Sequence, residues 1–277
     1  MQEFEEHRPR LRAVAYRMLG SFADADDAVQ EAWLRLDRAE PGAVRDLGAW
    51  LTTVVARVCL DVLRARRARR ELSLDAPLPD PVVVPADPAG PEGAAVRADE
   101  VSLALLVVLE TLAPPERVAF VLHDLFAVPY DEIAPVVGRS ALAARQLASR
   151  ARRRLRGSPV ARAEPDRARQ RTVVDAFLSA AHGGDLAALL ALLDPDVELR
   201  ADVGAGRYRG ADAVAQQAMA FSTRAAYARP AWVNGAAGLS VVAGGRPVAV
   251  LGFTVAGDRI VEVYVYAGPE RLSHKGP

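Results

Sequence analysis

The chain has 277 residues and a mass of 29.6 kDa, about twice the usual ~150-residue domain, so two or three folded units are expected. Hydrophobic residues make up 51% and charged residues 25%, a globular mixture that excludes a largely disordered chain. Basic and acidic side chains balance at 35 each, which excludes binding of nucleic acid through bulk charge while leaving room for local basic patches.

All the cations but Lys275 are arginines. The lone Cys59 excludes an intrachain disulfide and any multi-cysteine metal or iron–sulfur centre. His7, His123, His182 and His274 lack ligand spacing, so neither a metal nor a cofactor is expected. The charged start, Glu3-Phe4-Glu5-Glu6-His7-Arg8, speaks against a signal peptide. The longest apolar run, around Leu103 to Leu109, falls far short of the ~20 residues that span a bilayer. A soluble cytoplasmic chain with no membrane partner is the expectation.

Residues 1–70 contain few glycines and no strand-like alternation, and read as helical throughout. A helix starting near Ala23 places Ala28, Val29, Ala32, Trp33 and Leu36 on a core face. Its start is acidic, with Asp24, Asp26, Asp27 and Glu31, and Gln30 and Leu34 share the outer face with Asp27 and Glu31. Acidic residues here suit the positive end of the helix dipole. The next helix, about 48–70, carries Leu51, Val54, Val55, Val58 and Val62 on its core stripe and Thr53, Arg57, Asp61 and Arg64 opposite. It ends in five arginines within 64–70, among them Arg66 and Arg67. That exceeds what a helix C-terminus needs and makes DNA phosphates a serious candidate.

Six prolines between 77 and 91 exclude helix there, and 71–98 reads as a semi-extended linker. Helical periodicity returns over 99–157. Within it, a short helix from Tyr130 stops at Gly138, and Ser140 caps a longer one. That second helix buries Ala144, Leu147, Ala148, Ala151 and Leu155 and offers Arg145, Gln146, Ser149 and Arg152 outward. Turn glycine, cap and arginine-rich end together predict a helix-turn-helix whose second helix suits the major groove. Residues 166–277 read as three helices followed by strands joined at Gly244-Gly245 and Gly257-Asp258, an α+β pattern.

The acidic helix, a Trp50-Leu51-Thr52-Thr53-Val54 helix ending in arginines, a linker and a helix-turn-helix follow one another in an order that resembles the extracytoplasmic-function (ECF) sigma factors of bacterial RNA polymerase. The resemblance covers regions 2 and 4, about residues 1–157. Residues 166–277 resemble the SnoaL-like domains that a subgroup of these factors carries after region 4, with Phe177-Leu178-Ser179-Ala180-Ala181 at the start and Ala267-Gly268-Pro269-Glu270-Arg271-Leu272 at the end. The expected architecture is therefore multi-domain: all-α regions 2 (1–70) and 4 (99–157), joined by the linker, then an α+β cone.

The resemblance implies core RNA polymerase and promoter DNA as partners. Asp24, Asp26, Asp27, Gln30, Glu31 and Leu34 would dock on the β′ clamp helices, and region 4 on the β flap. The loop at about 40–47 would pocket a base flipped from the −10 element, and Arg57, Asp61, Arg64, Arg66 and Arg67 would lie along the −10 strand. Ser140, Arg145, Gln146 and Ser149 would face the −35 bases, with Arg150, Arg152 and Arg153 on phosphates. Promoter elements roughly 17 base pairs apart lie ~58 Å from each other. A linker of roughly 28 residues reaches ~90 Å when stretched, so both elements can be held at once. The subgroup's linker and cone motifs correspond to Leu78-Pro79-Asp80-Pro81, without the subgroup's tryptophan, and to Asp202-Val203-Gly204-Ala205-Gly206-Arg207. Contact between them would regulate the factor in cis.

Two other readings stand beside this one. A helix-turn-helix regulator with a ligand-sensing cone would bind duplex DNA alone and have no use for the acidic helix. A SnoaL-type isomerase or cyclase with a DNA-binding appendage would need an interior carboxylate. Asp194, Asp196, Glu198 and Asp202 are the candidates, and Asp194-Pro195-Asp196 reads as a turn. No His–Asp pair at meaningful spacing supports catalysis, so no enzyme is expected. Any small ligand of the cone is unidentified.

Overall fold

The computed structural model describes residues 2–39, 45–70, 78–86, 101–202, 206–268 and 272. By internal contacts the chain divides into two compact units, Met1–Asp80 with Leu106–Gly157, and Pro81–Leu105 with Ser158–Gly276.

The first unit is helical. Its opening helices are α1 (Gln2–Leu19), α2 (Phe22–Asp37) and α3 (Leu47–Arg70). Gly20 takes φ +69°, which lets the chain reverse after α1. Ser21 then caps α2, its hydroxyl accepting from Asp24 N at 3.4 Å. Tyr16 and Phe22 stack at 4.4 Å across this turn, above a core of Leu11, Val14, Met18, Ala25 and Val29.

Helices α4 (Leu103–Glu110), α5 (Pro114–Phe120), α6 (Tyr130–Val137) and α7 (Ala141–Arg156) follow, with a π-helical turn at Val121–Leu125. In α3 the burial differs from the expected stripe. Leu51, Val54 and Val55 are buried as read, but Cys59, Leu60 and Leu63 join them, and Val58 and Val62 are only half-buried. The reason is that α3 packs against α1 and α2 on one side and α5 and α6 on another, which widens its buried sector. Cys59 has no exposed surface, and burial pushes its thiol up to about 12, so it stays a protonated packing group.

The second unit is an α+β domain. Its elements are β1 (Val83–Pro85), α8 (Arg167–Gly183), α9 (Leu186–Leu192), β2 (Leu193–Ala201), β3 (Arg207–Arg209), α10 (Ala211–Ala220), α11 (Ser222–Ala225), β4 (Ala228–Val233), β5 (Ala236–Ala243), β6 (Arg246–Ala256) and β7 (Arg259–Tyr266). They form one seven-stranded sheet in the order β1-β4-β5-β6-β7-β2-β3, antiparallel except where β2 runs parallel to β7. Asp166 and Asp185 cap α8 and α9, each accepting from the first turn. The helices cover one sheet face. Val174, Phe177, Ala181 and Leu189 meet Leu239, Leu251, Phe253 and Val263, and the Phe177 and Phe253 rings sit 5.2 Å apart.

Two features of this sheet escape a reading by period. The Pro-rich segment supplies β1, which pairs with β4 from Val83↔Val233 to Pro85↔Ala231. β2 opens with a bulge between Leu193 and Glu198, so its first residues look like a turn in sequence. At Gly238 in β5, an added Cβ would lie 2.5 Å from Val233 Cγ2 and 2.7 Å from the backbone oxygen of Leu251. Gly238→Ala is therefore expected to cost about 1–3 kcal/mol through overpacking between strands. Urea unfolding of the full chain would show it, and an unchanged midpoint would count against this packing.

Candidate nucleic-acid interface

The exposed face of α2 is built by period. Asp27, Gln30, Glu31 and Leu34 fall at i, i+3, i+4 and i+7, opposite buried Ala25, Ala28, Val29 and Ala32. Asp27 and Gln30 are exposed, and Leu34, at 38%, is one of few large apolar side chains left in solvent. The other two acids have structural work. Asp24 pairs with Arg66 of α3, and Asp26 accepts from Arg12 Nε of α1 at 2.7 Å. These two link α2 to α3 and α1 while Asp26 itself stays exposed, and the stripe from Asp27 to Leu34 faces out beside them.

On α3 the predicted −10 residues divide similarly. Arg57, Asp61, Arg64 and Arg67 are exposed, Asp61 and Arg64 forming an i,i+3 pair at 3.4 Å. Arg66 is turned inward. Besides Asp24, its Nη1 donates to Leu19 O at 2.7 Å, closing the end of α1. Arg57 Nη2 donates to Pro135 O of α6 at 3.3 Å, so the face of α3 read as DNA-contacting touches the first helix of the turn motif. In the loop at 40–47, residues 40–44 lie outside those described.

The helix-turn-helix is formed by α6 and α7. Gly138, at φ +67°, ends α6 in the left-handed conformation, and Ser140 Oγ accepts from Ala143 N at 3.3 Å to start α7. Ala144, Leu147, Ala148 and Ala151 are buried, while Arg145, Gln146 and Arg153 are exposed and Ser149 is half-exposed. Arg152 and Arg150 are partly spoken for. Arg152 donates to Asp124 at 2.8 Å and stabilises the motif from within, and Arg150 pairs with buried Glu116 at 3.1 Å. Hydrogen bonds to Asp124 and Tyr130 raise the Arg152 pKa further above its usual value.

The linker residues have definite places. In the first unit, Leu78 and Pro79 are buried, and Asp80 Oδ2 accepts from Phe22 N at 2.9 Å, adding a second cap to α2. Tyr16 Oη donates to Asp80 O at 2.7 Å. In the second unit, Pro81 and Val82 are buried, and Asn234 holds the strand that follows. Its Oδ1 accepts from Val82 N at 2.9 Å, its backbone N donates to Val82 O at 2.8 Å and its Nδ2 to Val101 O at 3.3 Å. Asn234 was not singled out from sequence, although Asn-Gly between apolar runs is a strong turn signal.

Within the α+β unit, Asp202 Oδ1 accepts from Ala267 N at 2.9 Å and Arg207 pairs with Glu198 at 3.0 Å. Gly206 O accepts from Ala201 N at 2.7 Å, while Gly204 lies outside the described residues. Each of the four candidate carboxylates has a local partner. Asp194 accepts from Asp196 N within the β2 bulge, and Asp196 is exposed beside Arg209. Glu198 points away from the helices. Partial burial pushes its carboxyl up, but Arg200 and Arg207 overcome this and hold it below the usual range.

Another carboxylate does lie buried. Glu262 accepts from Tyr264 Oη at 2.6 Å and Thr254 Oγ1 at 3.2 Å, on the face opposite the helices, and burial pushes its carboxyl up. A lone acid inside the apolar run of β7 was the signal that could have marked it. In the first unit, Leu63, Arg66, Arg67, Glu110 and Arg117 line a cavity of about 300 Å³. Arg66 is held by Asp24, and Arg117 by Glu110 at 2.6 Å.

Among the described residues, no helix is long and apolar enough to cross a membrane, and no group of three or more His, Cys, Asp or Glu could hold a metal ion.

An acidic-faced three-helix bundle, a helix-turn-helix with an arginine-rich second helix and an α+β domain make this a multi-domain chain with a DNA-binding type of motif. Sigma-70 region 2 matches residues 4–69, and Sigma-70, region 4 matches residues 102–155. The ECF RNA polymerase sigma factor SigJ of Mycobacterium tuberculosis is 48% identical over 203 residues, 73% of this chain and 64% of its own length. The chain thus spans just under two thirds of that relative in the alignment. The probable ECF sigma factor SigI of the same species is 43% identical over 203 residues, covering 72% of this chain and 69% of its own. The crystal structure of M. tuberculosis SigJ superposes with a TM-score of 0.75 at 38% identity, covering 98% of this chain and 97% of that one. The chain belongs to the ECF RNA polymerase sigma factors. The resemblance of its residues to these factors stands, and the match to the solved SigJ structure extends through the C-terminal α+β domain.

Proposed function

We propose that this chain binds core RNA polymerase and directs transcription from specific promoters, and that its SnoaL-like domain regulates it in cis. In this reading α2 docks on the polymerase clamp through Asp27, Gln30, Glu31 and Leu34. The exposed arginines of α3 follow the −10 strand, and α7 enters the −35 major groove. Regions 2 and 4 correspond to 1–70 and 99–157, and the cytoplasm is where the factor meets its polymerase.

One observation carries the regulatory half. Arg57 of α3 donates to Pro135 of α6, so the two DNA-binding regions touch, whereas promoter elements ~58 Å apart demand that they separate. A device that biases this closed arrangement controls initiation. The linker suits that role, because Asp80 caps α2 of region 2 while the following Val83–Pro85 adds a strand to the SnoaL-like sheet. Tethering makes even a weak restraint effective. A non-catalytic role for the cone is supported by the local partners of the candidate carboxylates: Asp194 accepts from Asp196 N, Asp196 and Glu198 pair with arginines, and Asp202 accepts from Ala267 N.

The test is in vitro transcription with core enzyme on a promoter library, comparing the full chain with one ending at residue 165. Promoter-dependent output should change by about 5–150-fold on truncation, the size expected for a coupling free energy of 1–3 kcal/mol. Equal output discards regulation in cis. Duplex binding without any effect on core enzyme favours the helix-turn-helix regulator instead.

A further inference from the structure

The recognition helix carries an apolar group with no role inside the protein. Leu142 is the second residue of α7 and is 67% exposed, the most exposed large hydrophobic side chain among the described residues. Single exposed leucines are ordinary on a surface. This one is placed with purpose: Leu142, Arg145, Gln146 and Ser149 fall at i, i+3, i+4 and i+7, the stripe opposite buried Ala144, Leu147, Ala148 and Ala151. The first residues of a recognition helix are the ones that reach base edges. Arginine and glutamine on this stripe can read donors and acceptors, but a leucine can read neither.

The major groove offers one apolar feature, the 5-methyl group of thymine. We propose that Leu142 reads a thymine methyl in the −35 element, beside the bases faced by Arg145 and Gln146. This rests on the −35 reading of α7 given above. In solution the side chain is hydrated at a cost. In the groove it is desolvated against the methyl, while Arg153 and the other exposed cations hold the phosphates and set the register. Discrimination here comes from shape and burial, so it does not depend on salt as the phosphate contacts do.

The test uses the full chain with core enzyme on an active promoter taken from a library. Each −35 thymine, on either strand, is replaced singly by deoxyuridine, which removes the methyl and leaves every hydrogen-bonding group in place. With the unaltered chain, one replacement should lower output about fourfold, the worth of one buried methyl-sized group. Leu142→Ala should lower output on the thymine template by a similar factor and erase the difference at that one position. Its fold should hold, because the side chain is exposed and alanine favours helix.

Two outcomes overturn the proposal while leaving the sigma-factor reading intact: active transcription that is indifferent to every replacement, or a Leu142→Ala chain as sensitive as the original. A chain that transcribes from no template at any library promoter overturns the underlying reading, and this proposal with it.

Discussion

Replacing Asp27 and Glu31 together by arginine should reduce capture by core RNA polymerase at least ~100-fold, the scale of like-charge juxtaposition at an interface. Asp27 is exposed, and Glu31 gives up only an exposed i,i+4 pair with Arg35 at 2.9 Å, worth about 0.3–0.5 kcal/mol. The helix should therefore survive, and a pull-down with apo-polymerase at modest ionic strength reads the interface alone. Asp24→Asn should act differently. That carboxylate pairs with Arg66 in a half-exposed setting, so its loss costs no more than about 1 kcal/mol of stability and spares much of the capture. If the double reversal leaves capture unchanged, the docking face lies elsewhere and the proposed function fails at its first step.

The second large effect is expected at Asn234. Asn234→Gly keeps the backbone conformation, since glycine accepts φ +49° freely, but deletes the side chain that holds Val82 N and Val101 O. An orphaned buried N–H costs about 1–3 kcal/mol. Hydrogen exchange at the Val82 amide should quicken by about 10–100-fold, because the strand that follows is a short sheet edge. Under the proposed regulation, transcription should shift in the same direction as after truncation at residue 165. Equal protection of Val82 in both chains would remove Asn234 as the linker's anchor.

Much of the fold was legible where local chemistry suffices. Gly138, Ser140 and the alanine-leucine stripe of α7 define the helix-turn-helix through a left-handed cap, an N-cap and a period, all short-range. The outer stripe of α2 is legible for the same reason. The arginines were legible as charge but not as contacts. Arg66 serves Asp24, Arg150 serves Glu116 and Arg152 serves Asp124, partners tens of residues distant that no periodicity connects. The leucine at position 142 escaped notice because a polar stripe draws attention to its polar members.

Local sequence thus set which segments are helix, where the turns fall and which way the amphipathic faces look, because caps, glycine conformations and side-chain periods act within a few residues. Folding in three dimensions decided which cations remain available for phosphates, that β2 opens with a bulge, and that a proline-rich stretch becomes the edge strand of a sheet. Ion pairs and strand pairing depend on groups brought together from far along the chain, and their energies exist only once the intervening loops have closed.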